Sequence, residues 1–285
     1  MTDMEIVAER GAWRSGFEER LLTAYRGVGC SEPVARALLE RAVRGIDDWT
    51  LATDGTGWIA VGVGEDNGVT VGRIHDLTVA GPQGRAWAER WCAERGARRV
   101  QVRLTGGPGV FADYPVRGQN RMRVVAGRPE LPPGLTVRRL REEEYPRWYA
   151  REEAAYIADI VRAGALTARE AKEKSDRDFA EHLPQGFLTP GHAFYAMEAG
   201  GLVVGTGWVN HGFLPGVTFG FSLEVHEEHR GKGYGRAAMA VGEWATRQGG
   251  DEALMFNVFG GNEVAMGLYD STGFAVVDEF RSMDL

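Results

Sequence analysis

The chain has 285 residues, of which 44% are hydrophobic and 26% charged, and this composition excludes wholesale disorder and a fibrous assembly. At roughly 100 to 200 residues per domain, the length predicts two domains. The 33 basic and 40 acidic residues give a net charge of 33 − 40 = −7, so nucleic acid is not expected as a partner.

A membrane protein or a metalloprotein is also not expected. The sequence contains no run of about 18 apolar residues, and its first residues carry acids where a secretory signal carries bases. Only Cys30 and Cys92 are present, without a CxxC pair or a histidine cluster, so neither a disulfide framework nor a zinc site is predicted. We expect a cytoplasmic protein without a membrane or metal partner.

The first half of the chain is predicted to contain strands and a helix. Residues 70–79 predict a strand, a helix is expected to begin near Gly84, and residues 99–104 predict another strand. The segment 127–134 then holds three prolines and two glycines in eight residues, which neither a helix nor a central strand accommodates. We predict a first domain over 1–128, a linker at 129–134 and a second domain over 135–285.

The second half predicts an α/β arrangement with a mixed sheet. Its elements are a strand at 135–140, helices at 142–161 and 167–183, strands at 194–198, 202–209 and 218–225, a helix at 233–248, a strand at 253–258, a helix at 263–272 and a strand at 274–280. Thr167 and Glu170 predict a capping box at the start of the second helix. The charge is uneven: residues 1–133 carry 18 − 17 = +1 and residues 134–285 carry 15 − 23 = −8.

The first half reads as a degenerate copy of the second. Strand 70–79 parallels strand 218–225, and Gly84-Arg-Ala parallels Gly235-Arg-Ala at the start of the following helix. The spacing differs, because Val79 to Gly84 is 84 − 79 = 5 positions and Val225 to Gly235 is 235 − 225 = 10. The first copy therefore has a shorter strand-to-helix loop.

In the second half, that longer loop has the composition of a phosphate-binding loop. It reads Glu-His-Arg-Gly-Lys-Gly-Tyr-Gly-Arg over 228–236, with glycines at 231, 233 and 235. Glycines let the backbone approach an anion, and the free amides of a first helical turn point towards it. A tight turn with solvated bases is the alternative. A Walker A loop is excluded because Lys232 is followed by Gly233, and the GxGxG spacing is not the Rossmann GxGxxG.

Two motifs carry a resemblance to a known family. Arg230, Gly233 and Gly235 form an Arg-x-x-Gly-x-Gly pattern that resembles the coenzyme A pyrophosphate loop of the GNAT N-acetyltransferases. The block from Asn262 through Leu268-Tyr269 to Gly273-Phe274 is similar to the later motif of that family. The resemblance covers about 135–285 and implies a tandem GNAT fold, as in mycothiol synthases and some antibiotic-pathway acetyltransferases, with an N-terminal copy that lacks the pyrophosphate motif.

The resemblance implies roles for individual residues. The expected coenzyme A contacts are Val225, Arg230, Gly231, Lys232, Gly233, Tyr234, Gly235, Arg236 and Asn262. Asn262 is expected both to cap its helix and to contact the pantetheine arm. Tyr269 is expected to protonate the leaving thiolate, with a packing role as the alternative.

The strand before the loop is expected to hold the acyl end. In this family that strand bulges away from its neighbour, and the amide of Val225 then binds the thioester carbonyl. Glu224 is the candidate general base, His226 is the reserve, and a solvated, outward-facing Glu224 is the alternative.

The function implied is transfer of an acetyl group from acetyl-CoA to a primary amine of a small molecule through a ternary complex. Another acyl-CoA donor, or a non-catalytic acyl-CoA sensor, remains open. The net −8 of the second half predicts a cationic acceptor. The oligomeric state is not predicted.

Overall fold

The computed structural model describes residues 4–66, 68–127, 129–162 and 166–285. The chain divides into unit 1, which runs to Gln119 and includes Val276–Leu285, and unit 2, which comprises Asn120–Ala275. The linker predicted at 129–134 lies inside unit 2 in this division, and the last strand belongs to unit 1. The domain bounds taken from the sequence therefore differ from the contact-based units and stay a prediction.

The elements are numbered in chain order. The first part of the chain forms β1 (Glu5–Val7), α1 (Gly11–Gly27), α2 (Glu32–Ala42), β2 (Thr50–Thr53), β3 (Trp58–Asp66), β4 (Val69–Leu77), α3 (Pro82–Ala93), β5 (Arg99–Leu104) and β6 (Val116–Val124). The second part forms β7 (Leu135–Arg139), α4 (Tyr145–Arg162), α5 (Ala168–His182), β8 (His192–Ala199), β9 (Leu202–Leu214), β10 (Val217–Val225), α6 (Tyr234–Gln248), β11 (Ala253–Phe259), α7 (Glu263–Ser271) and β12 (Ala275–Asp284).

Unit 1 is built on the strand order β1-β2-β3-β4-β5-β12. The pairs are antiparallel except β4 with β5, which run parallel because α3 connects them. Helix α1 buries a residue at every fourth position, namely Trp13, Phe17, Leu21 and Tyr25, so one face of the helix lies in the core.

Unit 2 has the strand order β6-β11-β10-β9-β8-β7. Its pairs from β7 to β10 are antiparallel, and β10 runs parallel to β11 through the crossover helix α6. The core contains Val241 of α6 with Leu254 and Phe256 of β11. Small residues on α6, among them Ala237 and Ala238, allow the helix to lie close to the sheet.

The two units repeat the same element order. The series β1-α1-α2-β2-β3-β4-α3-β5 recurs as β7-α4-α5-β8-β9-β10-α6-β11. The sequence predicts this repeat from the three elements that correspond to β4, α3 and β5. The strand-to-helix connection is residues 78–81 in unit 1 and residues 226–233 in unit 2, so four residues replace eight. The shorter connection leaves unit 1 without a counterpart of the glycine-rich loop of unit 2.

Most predicted elements of the second half are confirmed within a few residues. Thr167 accepts a hydrogen bond from the Glu170 amide while the Glu170 carboxylate accepts one from the Thr167 amide, so the capping box is present. The predicted helix at 142–161 begins as a short 3₁₀ turn at 142–144. In the described part of the chain, no helix is both long and apolar enough to cross a membrane.

Candidate active site

The site begins where two parallel strands of unit 2 separate. Strand β10 pairs with β11 only from Val217 to Gly220, opposite Ala253–Phe256. Both strands continue, β10 to Val225 and β11 to Phe259. The register of β10 against β9 shifts between Gly220 and Ser222, which marks a β-bulge. The space between residues 221–225 and 257–259 is called the unit 2 wedge below.

The alternation of β10 directs one amide into the unit 2 wedge. His226 donates its backbone N–H to the Val204 carbonyl of β9 at 3.0 Å, and Val225 lies opposite Gly205. Neighbouring residues of a strand point their N–H groups in opposite directions, so the Val225 amide points away from β9 and towards β11. This is the donor that the sequence predicts for an acyl carbonyl.

The glycine loop, residues 230–236, follows β10 and opens α6. Gly231 and Gly233 have φ values of +75° and +85°, a region that side chains other than glycine rarely adopt. A Cβ atom added at either position would meet no atom within 4 Å, and both residues are exposed. Gly233 is the N-cap of α6 and carries no capping side chain, so the first amides of the helix remain available to an anion.

The basic side chains of the glycine loop have different surroundings. Lys232 Nζ donates to the Glu228 carbonyl at 3.0 Å, and Arg236 is exposed on the first turn of α6. Tyr234 and Gly235 are half-buried, and a Cβ at Gly235 would lie 3.5 Å from Leu268 Cδ2 of α7. Glycine at 235 therefore lets the first turn of α6 approach α7.

Glu224 and Arg230 form an ion pair at the edge of the wedge. Arg230 Nη2 lies 3.1 Å from Glu224 Oε1, and Arg230 Nε donates to the Val225 carbonyl at 3.1 Å. Burial raises the pKa of Glu224, and the charge of Arg230 opposes this shift. The guanidinium thus fastens the end of β10 to the start of the glycine loop, a contact that the sequence does not predict.

The reserve base His226 lies in a different environment. Its side chain is 8% exposed, and its Nε2 has no hydrogen-bond partner among the described residues. Burial lowers the pKa of His226, so the ring is neutral at physiological pH.

Helix α7 supplies the two residues expected from the second motif. Asn262 Oδ1 accepts a hydrogen bond from the Ala265 amide at 3.1 Å, so Asn262 caps the helix. The Tyr269 ring packs against Phe256 and Phe274 at centroid distances of 4.4 and 6.1 Å. Within the described residues, neither the Asn262 side-chain amino group nor the Tyr269 hydroxyl has a hydrogen-bond partner.

A residue of α4 joins this group and was missed in the sequence. Glu152 is 6% exposed and accepts a hydrogen bond from Ser222 Oγ at 2.9 Å. Burial, assisted by the charge of Glu224 and opposed by the Ser222 hydrogen bond, raises the pKa of Glu152 to about 7. Glu152 follows Trp148 by four positions and precedes Ile160 by eight, so an acid stands on the buried face of α4. That position is the signal that could have revealed it.

Helix α4 reaches both sides of the unit 2 wedge. Glu152 contacts Ser222 on the β10 side, and the Tyr156 ring lies 6.3 Å from the Phe259 ring at the end of β11. The charge of Asp159, on the same face of the helix, acts on both Glu224 and Tyr269. Val225, Tyr234 of the glycine loop and Tyr269 pack against the same core cluster, and Glu224 precedes Val225 on β10.

Known proteins are similar to the part of the chain that holds these residues. The profile described as the Acetyltransferase (GNAT) family matches residues 137–274. The uncharacterized N-acetyltransferase YycN of Bacillus subtilis (strain 168) is 30% identical over 151 residues, which are 51% of this chain and 96% of that protein. The chain belongs to the GNAT acetyltransferase family. The expectation of an acyl-CoA-dependent N-acetyltransferase is confirmed at this level.

Two further similarities were found for this GNAT protein, one over about half of the chain and one over nearly all of it. A mycothiol acetyltransferase of Propionibacterium freudenreichii subsp. shermanii is 31% identical over 149 residues, 52% of this chain and 45% of that protein. The solved structure of a GCN5-related N-acetyltransferase from Sphaerobacter thermophilus matches with a TM-score of 0.56 at 18% identity, over 99% of this chain and 98% of that one. The second match shows the fold, and the α/β GNAT fold expected from the sequence is confirmed.

The raised pKa of Glu152 predicts that the stability of the protein depends on pH. A carboxyl whose pKa is raised in the folded state binds a proton that the unfolded chain has already released, so the wild type loses stability between about pH 4.5 and pH 7. Glu152→Gln keeps an acceptor for Ser222 and removes this loss. Its free energy of unfolding relative to wild type should rise by roughly 3 kcal/mol from pH 4.5 to pH 8.

Denaturant unfolding of both proteins across this pH range measures the difference. Glu143→Gln is the matched control because that side chain is 73% exposed, and it should follow the wild type. If the free energies of unfolding of Glu152→Gln and the wild type change with pH in parallel, the pKa of the buried carboxyl is not raised.

Proposed function

We propose that unit 2 transfers the acetyl group of acetyl-CoA to a primary amine of a small molecule, with both substrates bound together. The observation that supports this proposal is the unit 2 wedge: the Val225 amide and the Glu224 carboxylate lie at its edge beside the glycine loop, and the Tyr269 ring packs against the same core cluster as Val225. The family assignment supports the reaction type, and the geometry supports the residues.

The residues of the glycine loop fit a coenzyme A diphosphate. The positive φ of Gly231 and Gly233 and the open space above them give an anion access to the backbone of α6. Lys232 and Arg236 add positive charge, and the amino group of Asn262 is available to the pantetheine arm. When bound, acetyl-CoA supplies an acyl group activated as a thioester.

In this proposal the chain's own groups act at three atoms. The Val225 amide donates to the acyl oxygen and stabilises the charge that develops there. Glu224 accepts the proton that the amine loses as the N–C bond forms. The C–S bond breaks with its electron pair on sulfur, and the Tyr269 hydroxyl donates to that sulfur. Arg230 holds the Glu224 carboxylate and the Val225 carbonyl, so it positions both.

The surroundings of Tyr269 define how it acts. Burial raises the pKa of Tyr269 to about 12, so the phenol keeps its proton at neutral pH and can donate it. A free thiol has a pKa near 8.5, below that of this phenol, so complete proton transfer from Tyr269 to a solvent-exposed thiolate would be unfavourable. The same apolar surroundings raise the pKa of a thiol held beside Phe256 and Phe274. The hydrogen bond therefore strengthens as charge develops on sulfur.

The local charges favour a cationic acceptor. Glu224 lies at the wedge, and the charge of Asp159 reaches it from α4, whereas Glu152, with a pKa of about 7, carries only part of a charge at neutral pH. Arg230 offsets one of these carboxylates and Arg162 pairs with Asp159 at 2.8 Å. An ammonium approaching the wedge meets carboxylate acceptors for its N–H groups. It loses one proton to solvent before it attacks as the free amine, and Glu224 accepts the second proton as the N–C bond forms.

Release of free thiol from acetyl-CoA, measured with a panel of cationic, neutral and acidic primary amines, tests this function. The proposal expects turnover with at least one amine, fastest among the cationic ones, together with an acetylated product in the mass spectrum. Binding of acetyl-CoA without turnover on any amine would favour the sensor alternative. Turnover with propionyl-CoA but not acetyl-CoA would favour another donor.

The glycine loop predicts one coenzyme A site per chain. Gly233→Asp places a Cβ and a negative charge at the diphosphate, so it should weaken coenzyme A binding by about 100-fold, or about 2.7 kcal/mol. Gly200→Asp is the matched control, because Gly200 also has a positive φ of +59° with open space around it but lies in the β8–β9 turn. Calorimetric titration measures both affinity and stoichiometry. Two sites per wild-type chain, or undiminished binding by Gly233→Asp, would contradict this assignment.

The phenol of Tyr269 predicts a specific loss of rate. Tyr269→Phe keeps the ring and its packing, so kcat should fall by about 10²-fold or more while the coenzyme A affinity and Tm barely change. Tyr145→Phe is the control, because the Tyr145 hydroxyl is also buried without a partner among the described residues but packs against Phe187 and Phe194. If kcat falls by less than about fivefold, which is roughly 1 kcal/mol of barrier, water and not Tyr269 donates the proton.

A further inference from the structure

Unit 1 contains a wedge of its own, and a cavity fills it. Strand β4 pairs with β5 only as far as Ile74 and Val102, although β4 continues to Leu77 and β5 to Leu104. This is the same divergence that opens the unit 2 wedge. A cavity of about 160 Å³ lies here, lined by His75 to Leu77 of β4 and by residues 103–105 of β5 and its end. The cavity is called the unit 1 pocket below.

The unit 1 pocket lacks the features that suit a diphosphate. Only residues 78–81 connect β4 to α3, and the helix begins with Pro82, which has no backbone N–H to donate. A Cβ added at Gly84 would lie 3.0 Å from Val79 Cβ, so the first turn of α3 packs directly on the strand end. A ligand of this pocket must therefore bind without a phosphate cradle.

One side of the unit 1 pocket is aromatic. The Trp49 and His75 rings stack at 3.8 Å with an interplanar angle of 2°, and Phe17 meets Trp49 edge-on at 5.9 Å. Burial lowers the pKa of His75 to about 3, so this ring carries no charge at physiological pH. Phe111 and Leu104 extend the apolar lining. A flat apolar body fits such a wall.

The other side of the unit 1 pocket is rich in hydrogen-bond donors. Arg103 Nε donates to Asp278 at 2.8 Å and Nη2 to the Tyr25 hydroxyl at 2.8 Å, whereas Nη1 has no partner among the described residues. Arg20 Nη2 donates to Asp76 at 2.6 Å and leaves its other nitrogens available. Asp76 also lines the pocket, so each of these arginines is paired with one carboxylate and keeps further N–H donors beyond that pair. An acceptor group with negative charge is the complement.

We propose that the unit 1 pocket binds a small carboxylic acid with a flat apolar body about the size of one aromatic ring. The ring lies against Trp49 and His75, and the carboxylate accepts hydrogen bonds from Arg103 and Arg20. The volume agrees with such a body, since a cavity of about 150 Å³ accommodates benzene. Unit 1 has in this way kept the strand wedge of the repeat and changed what the wedge holds.

Benzoate is the probe, with benzyl alcohol and benzylamine as controls that match its ring and change its charge. Saturation-transfer NMR and calorimetric titration are performed on the full chain. Benzoate should bind once per chain in the submillimolar to millimolar range that is usual for so small a ligand. The two controls should bind at least about tenfold more weakly. Benzylamine or benzyl alcohol binding as tightly as benzoate, or no saturable benzoate binding, would overturn the proposal.

Two variants that fill the unit 1 pocket locate the binding. Thr105 is half-buried at the end of β5, so Thr105→Trp places a ring in the pocket at little cost to the core. Ala42→Phe fills it from α2, and Thr70→Trp is the control because Thr70 is half-buried but does not line the pocket. The filled variants should lose at least about tenfold in benzoate affinity at a Tm near that of the control.

A competition experiment separates this site from the proposed coenzyme A site. Benzoate binding that survives saturating coenzyme A, and that survives Gly233→Asp, supports an independent site in unit 1. Displacement of benzoate by coenzyme A, or undiminished binding by the folded filled variants, would overturn the assignment to the unit 1 pocket. Failure of acetyl transfer on every amine leaves this result unaffected, so the two proposals fail separately.

Discussion

The separation of β10 from β11 is the constraint on which the active unit depends. A parallel pair keeps its hydrogen bonds only while both strands hold register, and the pairing of β10 with β11 ends at Gly220, where the bulge of β10 against β9 begins. The strand ends then turn backbone groups towards a gap instead of a neighbour. An unpaired amide in a partly buried gap is costly unless a ligand accepts from it, and this is what makes Val225 a binding group.

Electrostatics add a second constraint around the same strand. Glu152 and Glu224 are carboxylates within reach of one another's charge in surroundings that water does not fully reach, so both have raised pKa values. Arg230 offsets the charge of Glu224, and Ser222 satisfies one oxygen of Glu152. A carboxylate with a raised pKa is a better proton acceptor than an exposed one, which suits the removal of a proton from an amine. The same fold in unit 1 lacks the glycine loop and shows arginines and aromatic rings at its wedge.

Local sequence patterns predicted much of this molecule. The glycine loop, the capping box at Thr167 and the Asn262 cap depend on residues close in the chain, and the structure shows each where the motif places it. Contacts between distant residues could not be predicted in this way. Glu152 and Ser222 are seventy positions apart and meet only once α4 lies over β10. The partner of β12, the last strand, could not be predicted either, because it pairs with β5 of unit 1, which composition along the chain does not reveal.

A crystal structure of the protein with coenzyme A tests the central claim most directly. The account predicts that diphosphate oxygens lie about 2.7–3.2 Å from backbone nitrogens of the loop between Gly231 and Gly235. It also predicts that the sulfur lies in the unit 2 wedge, within hydrogen-bond reach of the Tyr269 hydroxyl. A diphosphate bound away from this loop, or a sulfur beyond the reach of both Tyr269 and the Val225 amide, would contradict it.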